Sequence, residues 1–354
     1  MAKTIGVLVI DDSAFMRKVL RDIMESAHDI KVVGTAKNGL EALDMVRELR
    51  PDVITLDLNM PSMDGLTCLR ELQKISDAPV IMLSSLTTDG GKATIEALEA
   101  GAIDFVTKPS KLFDISGEQK RVEIIKKIRM AYGFSRKKQA SVQKCPKTAA
   151  GTEKRPRSSE LKALIAIGTS TGGPRALQEV IPYIPEDIPA AILIVQHMPP
   201  GFTKSLAERL DSLSGMTVKE GDDNEIICPG YVYLAPGDFH MEVVKDQDGK
   251  LRIKLNKKDP DRGHRPSVNV LMKSIARTGF PNVIGVIMTG MGNDGKEGAI
   301  SIKEKNRGVI ICQDEMSCVV YGMPKAVVNT GMADAVVPLK EIAGMIVKYL
   351  GVEQ

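Results

Sequence analysis

Across residues 1–110, short runs of consecutive apolar, largely β-branched residues alternate with longer stretches whose apolar positions recur every three or four residues. The runs are Ile5–Ile10, Val32–Ala36, Val53–Leu56, Val80–Leu83 and Phe105–Thr107. An unbroken apolar run has no polar face, so it suits a strand covered on both sides, and helices between such strands are the crossovers that a parallel sheet requires. The pattern predicts a doubly wound α/β domain of five parallel strands, a fold that binds ligands beyond the carboxyl ends of its strands. After Leu161 the alternation resumes, with Ala163–Ile167, Ala191–Val195, Val283–Met288 and Val309–Cys312 as strands. Met241–Val244 and Leu251–Leu255 flank a polar segment whose Asp248-Gly249 pair signals a hairpin. The second half is expected to be a doubly wound α/β domain with a β-hairpin insert.

Between the two patterns, Val122, Ile125, Ile128 and Met130 keep helical spacing, and Arg136 to Glu160 is rich in Lys, Arg, Ser, Ala and Pro. Such a segment cannot bury enough apolar surface to order itself. The expected organisation is a first domain over 1–120, a helix end and basic flexible linker over 121–160, and a second domain over 161–354. Net charge sharpens this division, at −5, +9 and −1 for the three segments in order. The positive excess sits on the linker, and the near-neutral second domain argues against nucleic acid as a partner. Five scattered cysteines, with no C-x-x-C pair, suit a reducing compartment. The first ten residues lack the length and flanks of a signal peptide, and no stretch approaches a membrane span, so the expected location is cytoplasmic, without membrane insertion.

The strand ends carry the chemistry. Asp11 and Asp12 close the first strand, Asp57 the third, Ser84 the fourth, and Lys108 follows the fifth. Each aspartate alone is what a helix cap offers. Together at one sheet edge, three carboxylates repel one another unless a cation intervenes, and an all-oxygen set with room for water suits Mg²⁺. Asp57 can then act as a nucleophile toward a phosphoryl donor, with Lys108 and Ser84 placed to steady the transferred oxygens. Ile10-Asp11-Asp12-Ser13, Leu56-Asp57-Leu58-Asn59-Met60-Pro61, Met63-Asp64-Gly65 and Thr107-Lys108-Pro109 resemble the response-regulator receiver family over nearly the whole domain. The resemblance implies Asp57 as phosphoacceptor, Asp12, Asp57 and the Asn59 carbonyl on Mg²⁺, Asp11 assisting through water, Ser84 and Lys108 on the phosphoryl group, and Phe105 as the switch aromatic.

In the second domain, the strand ending at Ile167 runs into Gly168-Thr169-Ser170-Thr171-Gly172-Gly173-Pro174, a G-x-S-x-G pattern that exposes a serine on a tight strand-to-helix turn. A glycine-rich turn of this kind serves phosphate binding equally well. Four histidines compete as its base: His28, His197, His240 and His264. His197 directly follows the strand Ala191–Val195 and so shares the sheet edge of Ser170. His28 reads as a surface residue, and His240 and His264 as solvated or hydrogen-bonding positions able to line a groove. Asp294, in Thr289–Gly295 after another strand, is the candidate third member, with helix capping as its alternative. The G-x-G-x-x-G through Gly290, Gly292 and Gly295 also imitates a dinucleotide fingerprint. The order Ser, His, Asp is not that of ordinary α/β-hydrolases.

With the receiver in front, Gly168–Pro174, Gln196–Phe202, Leu234–His240, Arg265–Asn269 and Gly290–Gly295 resemble the chemotaxis protein-glutamate methylesterase family over nearly the whole chain. The resemblance implies Ser170 as nucleophile, His197 as general base and acid, Asp294 as orienting carboxylate, and Thr171 and Met291 beside the nucleophile at the oxyanion. It also implies chemoreceptor cytoplasmic helices as substrate, glutamine deamidation as a second activity, a chemotaxis histidine kinase as phosphodonor, no cofactor in the esterase domain, and a receiver that restrains the esterase until phosphorylated. Thr169 stands where the family often has alanine, a difference expected to alter the pocket wall. A transcriptional response regulator and a receiver fused to a nucleotide-binding domain are the competing readings.

Overall fold

The computed structural model describes residues 4–85, 88–108, 118–138 and 160–351. Pro109 and residues 139–159, the greater part of the expected linker, lie outside the described residues. The chain forms two compact units, Met1–Ala149 and Ala150–Gln354.

The first unit alternates β1 (Ile5–Ile10), α1 (Ala14–Glu25), β2 (Ile30–Ala36), α2 (Gly39–Leu49), β3 (Val53–Asp57), α3 (Gly65–Ile75), β4 (Val80–Ser84), α4 (Thr88–Glu99), β5 (Asp104–Thr107) and α5 (Glu118–Lys138). The sheet order is β2-β1-β3-β4-β5, parallel throughout. All five expected strands are present, each within two residues of its expected ends. The order reverses direction between β1 and β3, which places Asp11, after β1, beside Asp57, the last residue of β3. Side-chain caps start the helices: Ser13 accepts from Met16 N, Asn38 from Glu41 N and Asp64 from Thr67 N. The expected helix after the receiver is α5. Its buried residues are Ile124, Ile128, Met130 and Ala131, and Ile124, Ile128 and Ala131 join the core cluster of Val7, Val9 and Leu20, with Ile125 packed against it. Of the four expected positions only Val122 faces outward, at 40% exposed, and α5 completes the receiver's own core.

The second unit contains β6 (Ala163–Thr169), α6 (Gly173–Gln178), β7 (Ala190–Gln196), α7 (Phe202–Leu213), β8 (Thr217–Glu220), β9 (Tyr231–Leu234), β10 (His240–Lys245), β11 (Leu251–Asn256), α8 (Val268–Arg277), β12 (Val283–Ile287), α9 (Lys296–Asn306), β13 (Val309–Gln313), α10 (Met323–Val328), β14 (Ala335–Val337) and α11 (Ile342–Leu350). Seven strands form a parallel sheet in the order β14-β13-β12-β6-β7-β9-β8. The expected hairpin is the separate antiparallel pair β10–β11. Helix α8 lies against it, and Ser274 Oγ accepts a 2.8 Å bond from Val243 N. Strands β8, β9 and β14 were not anticipated. They span three or four residues, too few to show a period, and both sheet edges are built from them.

The Met63-Asp64-Gly65 motif acquires a mechanical meaning. Asp64 caps α3, while Gly65 packs against the strand end that carries Asp57: a Cβ there would overlap Asp57 O and lie 2.7 Å from Leu58 Cα. Gly65→Ala should destabilise the receiver by about 1–3 kcal/mol, the usual cost of overpacking against backbone. Urea denaturation should show a lower midpoint for the receiver transition with an unchanged transition for the other domain.

Candidate active site

Strands β12, β6 and β7 are neighbours, so the residues that follow them emerge at one sheet edge. Chain order reverses around β6, with β7 added on one side and β12 on the other, and such a switch point opens a crevice above the sheet. Thr169 is opposite Gln196 in the ladder, so Ser170 and His197 leave adjacent strands at one level. Ser170 N donates to Thr289 O at 3.0 Å and His197 N to Thr169 O at 3.3 Å. A Cβ at Gly290 would sit 2.9 Å from the Ser170 Cβ. The glycine that imitated a nucleotide fingerprint instead lets the turn carrying Met291 approach the serine. Thr171 is buried, and its carbonyl accepts a 2.9 Å bond from Thr289 Oγ1.

His197 Nε2 and Asp294 Oδ2 are 2.8 Å apart. The other ring nitrogen, Nδ1, is buried and has no hydrogen-bond partner among the described residues, which leaves it as the edge able to take a proton. Asp294 is 2% exposed. Besides His197 it accepts from Val268 N at 2.7 Å, Asn269 N at 2.9 Å, Ser267 Oγ at 3.0 Å and Gly295 N at 2.9 Å. Burial alone would push its carboxyl up. The bond to His197 and those backbone N–H groups outweigh burial and hold it down at about 2. The capping alternative takes an unexpected form: Gly295 is the N-cap of α9, and the Asp294 carboxylate instead serves the N-terminus of α8.

Three further polar residues surround this cluster. Thr169 is fully buried, so it does not form the pocket wall. Its hydroxyl donates to Gln196 Oε1, and the Gln196 amide donates to Ser170 O at 2.9 Å and His197 O at 3.3 Å. Of its two expected roles His240 takes the hydrogen-bonding one, buried with its Nε2 3.1 Å from Asp259 O. His264 stacks on His197, ring centroids 3.9 Å apart and planes 5° from parallel. No local pattern announces that stack, because 67 residues and a hairpin separate the two rings. His28 is exposed.

At the receiver's sheet edge, Lys108 Nζ lies 2.8 Å from Asp11 Oδ2 and 2.7 Å from Asp57 Oδ2. Asp11, Asp12 and Asp57 each bring one oxygen within 4.8 Å of the others. Burial pushes the Asp57 carboxyl up; Lys108 pulls it down and Asp11 adds to the push. This all-oxygen set with excess negative charge fits Mg²⁺. Asn59 N donates to Asp57 Oδ1 at 3.3 Å. Ser84 Oγ accepts a 2.8 Å bond from Thr94 Oγ1, and Phe105 is buried.

The response regulator receiver domain profile matches residues 7–117, and the CheB methylesterase profile matches residues 165–346. The chain belongs to the CheB methylesterase family. A protein of Pyrococcus horikoshii described as protein-glutamate methylesterase/protein-glutamine glutaminase is 47% identical over 355 residues, covering 98% of this chain and 94% of the relative. A Thermotoga maritima protein of the same description is 46% identical over 348 residues, covering 98% and 99%. The crystal structure of the Thermotoga maritima CheB methylesterase catalytic domain matches 54% of this chain and 98% of its own, at 47% identity and a TM-score of 0.51. Membership makes the chain a carboxylic ester hydrolase joined to a receiver. Among the described residues, no helix is long and apolar enough to cross a membrane.

The state of Asp294 makes acid stability a test of this site. A carboxyl held at about 2 when folded and at about 4 when unfolded contributes stability above the unfolded value that is lost as pH falls through the folded value. The contribution is about 2 kcal/mol. In urea titrations, the stability advantage of the native protein over Asp294→Asn should shrink between about pH 4 and pH 2.

Proposed function

We propose that the second domain hydrolyses γ-glutamyl methyl esters on the cytoplasmic helices of chemoreceptors, and deamidates glutamines at such sites, with Ser170, His197 and Asp294 as its catalytic triad. The observation that carries this reading is the His197–Asp294 bond at the strand edge that also holds Ser170. The descriptions of the full-length relatives support the substrate. Ser170 Oγ attacks the ester carbonyl carbon while its proton passes to His197 Nδ1. Asp294, ionised well below neutral pH, keeps the ring oriented and stabilises the imidazolium. Backbone N–H groups of Thr171 and Met291 serve the developing oxyanion. His197 then returns the proton to the departing methoxide, and methanol leaves. Water, activated by the same imidazole, releases glutamate from the serine. With a glutamine substrate, ammonia leaves in place of methanol.

The receiver, in the same proposal, takes a phosphoryl group on Asp57 from a chemotaxis histidine kinase and raises esterase activity for sensory adaptation. Mg²⁺ held by Asp12, Asp57 and the Asn59 carbonyl, with Asp11 behind it, would supply charge neutralisation for that transfer. Lys108 is already on Asp57, while the Ser84 hydroxyl, which donates to the Gly90 and Ser85 carbonyls, turns from them to reach the phosphoryl oxygens. Up to about two added negative charges at Asp57 drive that exchange, and the buried Phe105 ring senses it.

Ser170→Ala and His197→Ala should each nearly abolish methanol release from a methylated receptor fragment while leaving the fold intact, since both act in one proton-transfer unit. Asp294→Asn should cost on the order of 10⁴-fold in kcat, the scale of the carboxamide swap in a Ser-His-Asp enzyme. Near-normal turnover in folded Ser170→Ala would refute the assignment.

For the receiver, intact-mass measurement after exposure to a small phosphodonor should show one Mg²⁺-dependent phosphate, absent in Asp57→Asn. The donor should accelerate methanol release by the native chain but not by that variant. Phosphate retained in Asp57→Asn would point to another acceptor.

A further inference from the structure

We propose that His264 is a positioning residue for the reaction, holding the plane of the His197 ring so that Nδ1 faces Ser170; this rests on the reading of His197 as the general base. Among the described residues, the His197 ring has one hydrogen-bond partner, Asp294, at Nε2. A single hydrogen bond fixes the direction of one ring edge but leaves the ring free to rock about that bond, which carries the opposite nitrogen through an arc. Near-parallel contact with a second flat ring at 3.9 Å removes that freedom. Proton transfer from a serine tolerates little misalignment, because reacting atoms misplaced by about 1 Å can cost on the order of 10²-fold in rate.

The loop that carries His264 is built to hold still. It leaves β11 at Asn256 and enters α8 at Val268. Asp261 and His264 exchange backbone bonds of 3.1 and 2.9 Å across a tight turn. Next to His264, Arg265 binds Asp238 Oδ1 through Nε at 3.1 Å and Nη2 at 2.6 Å, and its Nη1 reaches the carbonyls of Lys257 and Lys258 at 3.1 and 3.0 Å. At the far end Ser267 donates to Asp294 Oδ1 at 3.0 Å. The carboxylate that orients His197 from its edge therefore also anchors the loop that supports its face. A flat apolar ring at position 264 would meet the same geometric need. The stack also places a polarisable face against the imidazolium that His197 becomes, and cations are stabilised over such faces.

The test is steady-state methanol release by the full chain from a methylated receptor fragment, alongside the rate at which a fluorophosphonate labels Ser170. His264→Ala should lower kcat about 10-fold or more, with KM within about twofold and phosphonate labelling slowed in step. His264→Phe should restore most of both rates. Arg265→Ala, which frees the loop while retaining the imidazole, should reproduce the loss in kcat. Wild-type kcat in folded His264→Ala would overturn the proposal, as would a raised KM at unchanged kcat, which would make His264 a substrate contact. Failure of Phe to rescue would also overturn it, since the imidazole's own chemistry would then be required. If His197→Ala itself stays active, the underlying assignment of the base fails; if it is dead while His264→Ala is normal, only this inference fails.

Discussion

The esterase domain is organised around one buried negative charge. A carboxylate 2% exposed incurs several kcal/mol in lost hydration unless its lone pairs are met, and Asp294 meets that demand with donors from three separate pieces of chain. Val268 and Asn269 offer N–H groups that the first turn of α8 cannot satisfy internally, and the ten-residue helix points the positive end of its dipole at the charge. Ser267, the N-cap of the same helix, adds its hydroxyl, His197 arrives from β7, and Gly295 N comes from the turn after β12. Asn269 extends the tie, its Oδ1 accepting from Gly295 N and Gly298 N, both at 3.0 Å, so that α8 and α9 are locked together at their N-termini. Solvating one charge thus fixes the start of a helix, the azimuth of the His197 ring and the course of the turn beside Ser170.

The two domains use buried aspartates at parallel sheet edges to opposite ends. Asp57 faces a second carboxylate and one ammonium, so burial prevails and its carboxyl is pushed up. Asp294 faces an imidazole, a serine hydroxyl and three backbone N–H groups, so the donors prevail and hold its carboxyl down. An anion that accepts a phosphoryl group benefits from being under-compensated until a cation arrives. An anion that steadies an imidazolium benefits from permanent compensation. The same residue type on the same kind of sheet acquires different chemistry from what surrounds it.

Much of this was legible in the sequence, because parallel strands buried on both faces leave unbroken apolar runs and their carboxyl ends then locate the polar clusters. Asp57, Lys108, Ser170, His197 and Asp294 could all be placed by that rule, and the structure brings Lys108 onto Asp57 and His197 onto Asp294. Thr217–Glu220 and Ala335–Val337 escaped it, since edge strands this short and partly polar show no period. On α5 only Val122 was misassigned to the buried stripe, because the apolar residues at its start cluster too densely for spacing to choose between Val122 and Ile124. His240 and His264 lay in polar surroundings that left solvent and hydrogen bonding open; His240 is buried on the Asp259 carbonyl and His264 lies flat on the His197 ring. Such contacts arise only when distant segments meet, and no local pattern encodes them.

Thr169 illustrates how a departure from a family pattern can be misjudged from position alone. Adjacent to a nucleophile, a larger residue suggests a reshaped pocket. On a parallel strand, however, neighbouring side chains point to opposite faces, and position 169 faces inward while position 170 turns out at the strand's end. The hydroxyl donates to Gln196 Oε1, which leaves the amide's N–H groups to face the carbonyls of Ser170 and His197. An alanine there would leave a buried amide oxygen without this donor, and a buried acceptor so abandoned costs about 1–3 kcal/mol. The extra hydroxyl therefore acts on the rigidity of the turns that carry Ser170 and His197, and as a buried group it adds nothing to the exposed surface.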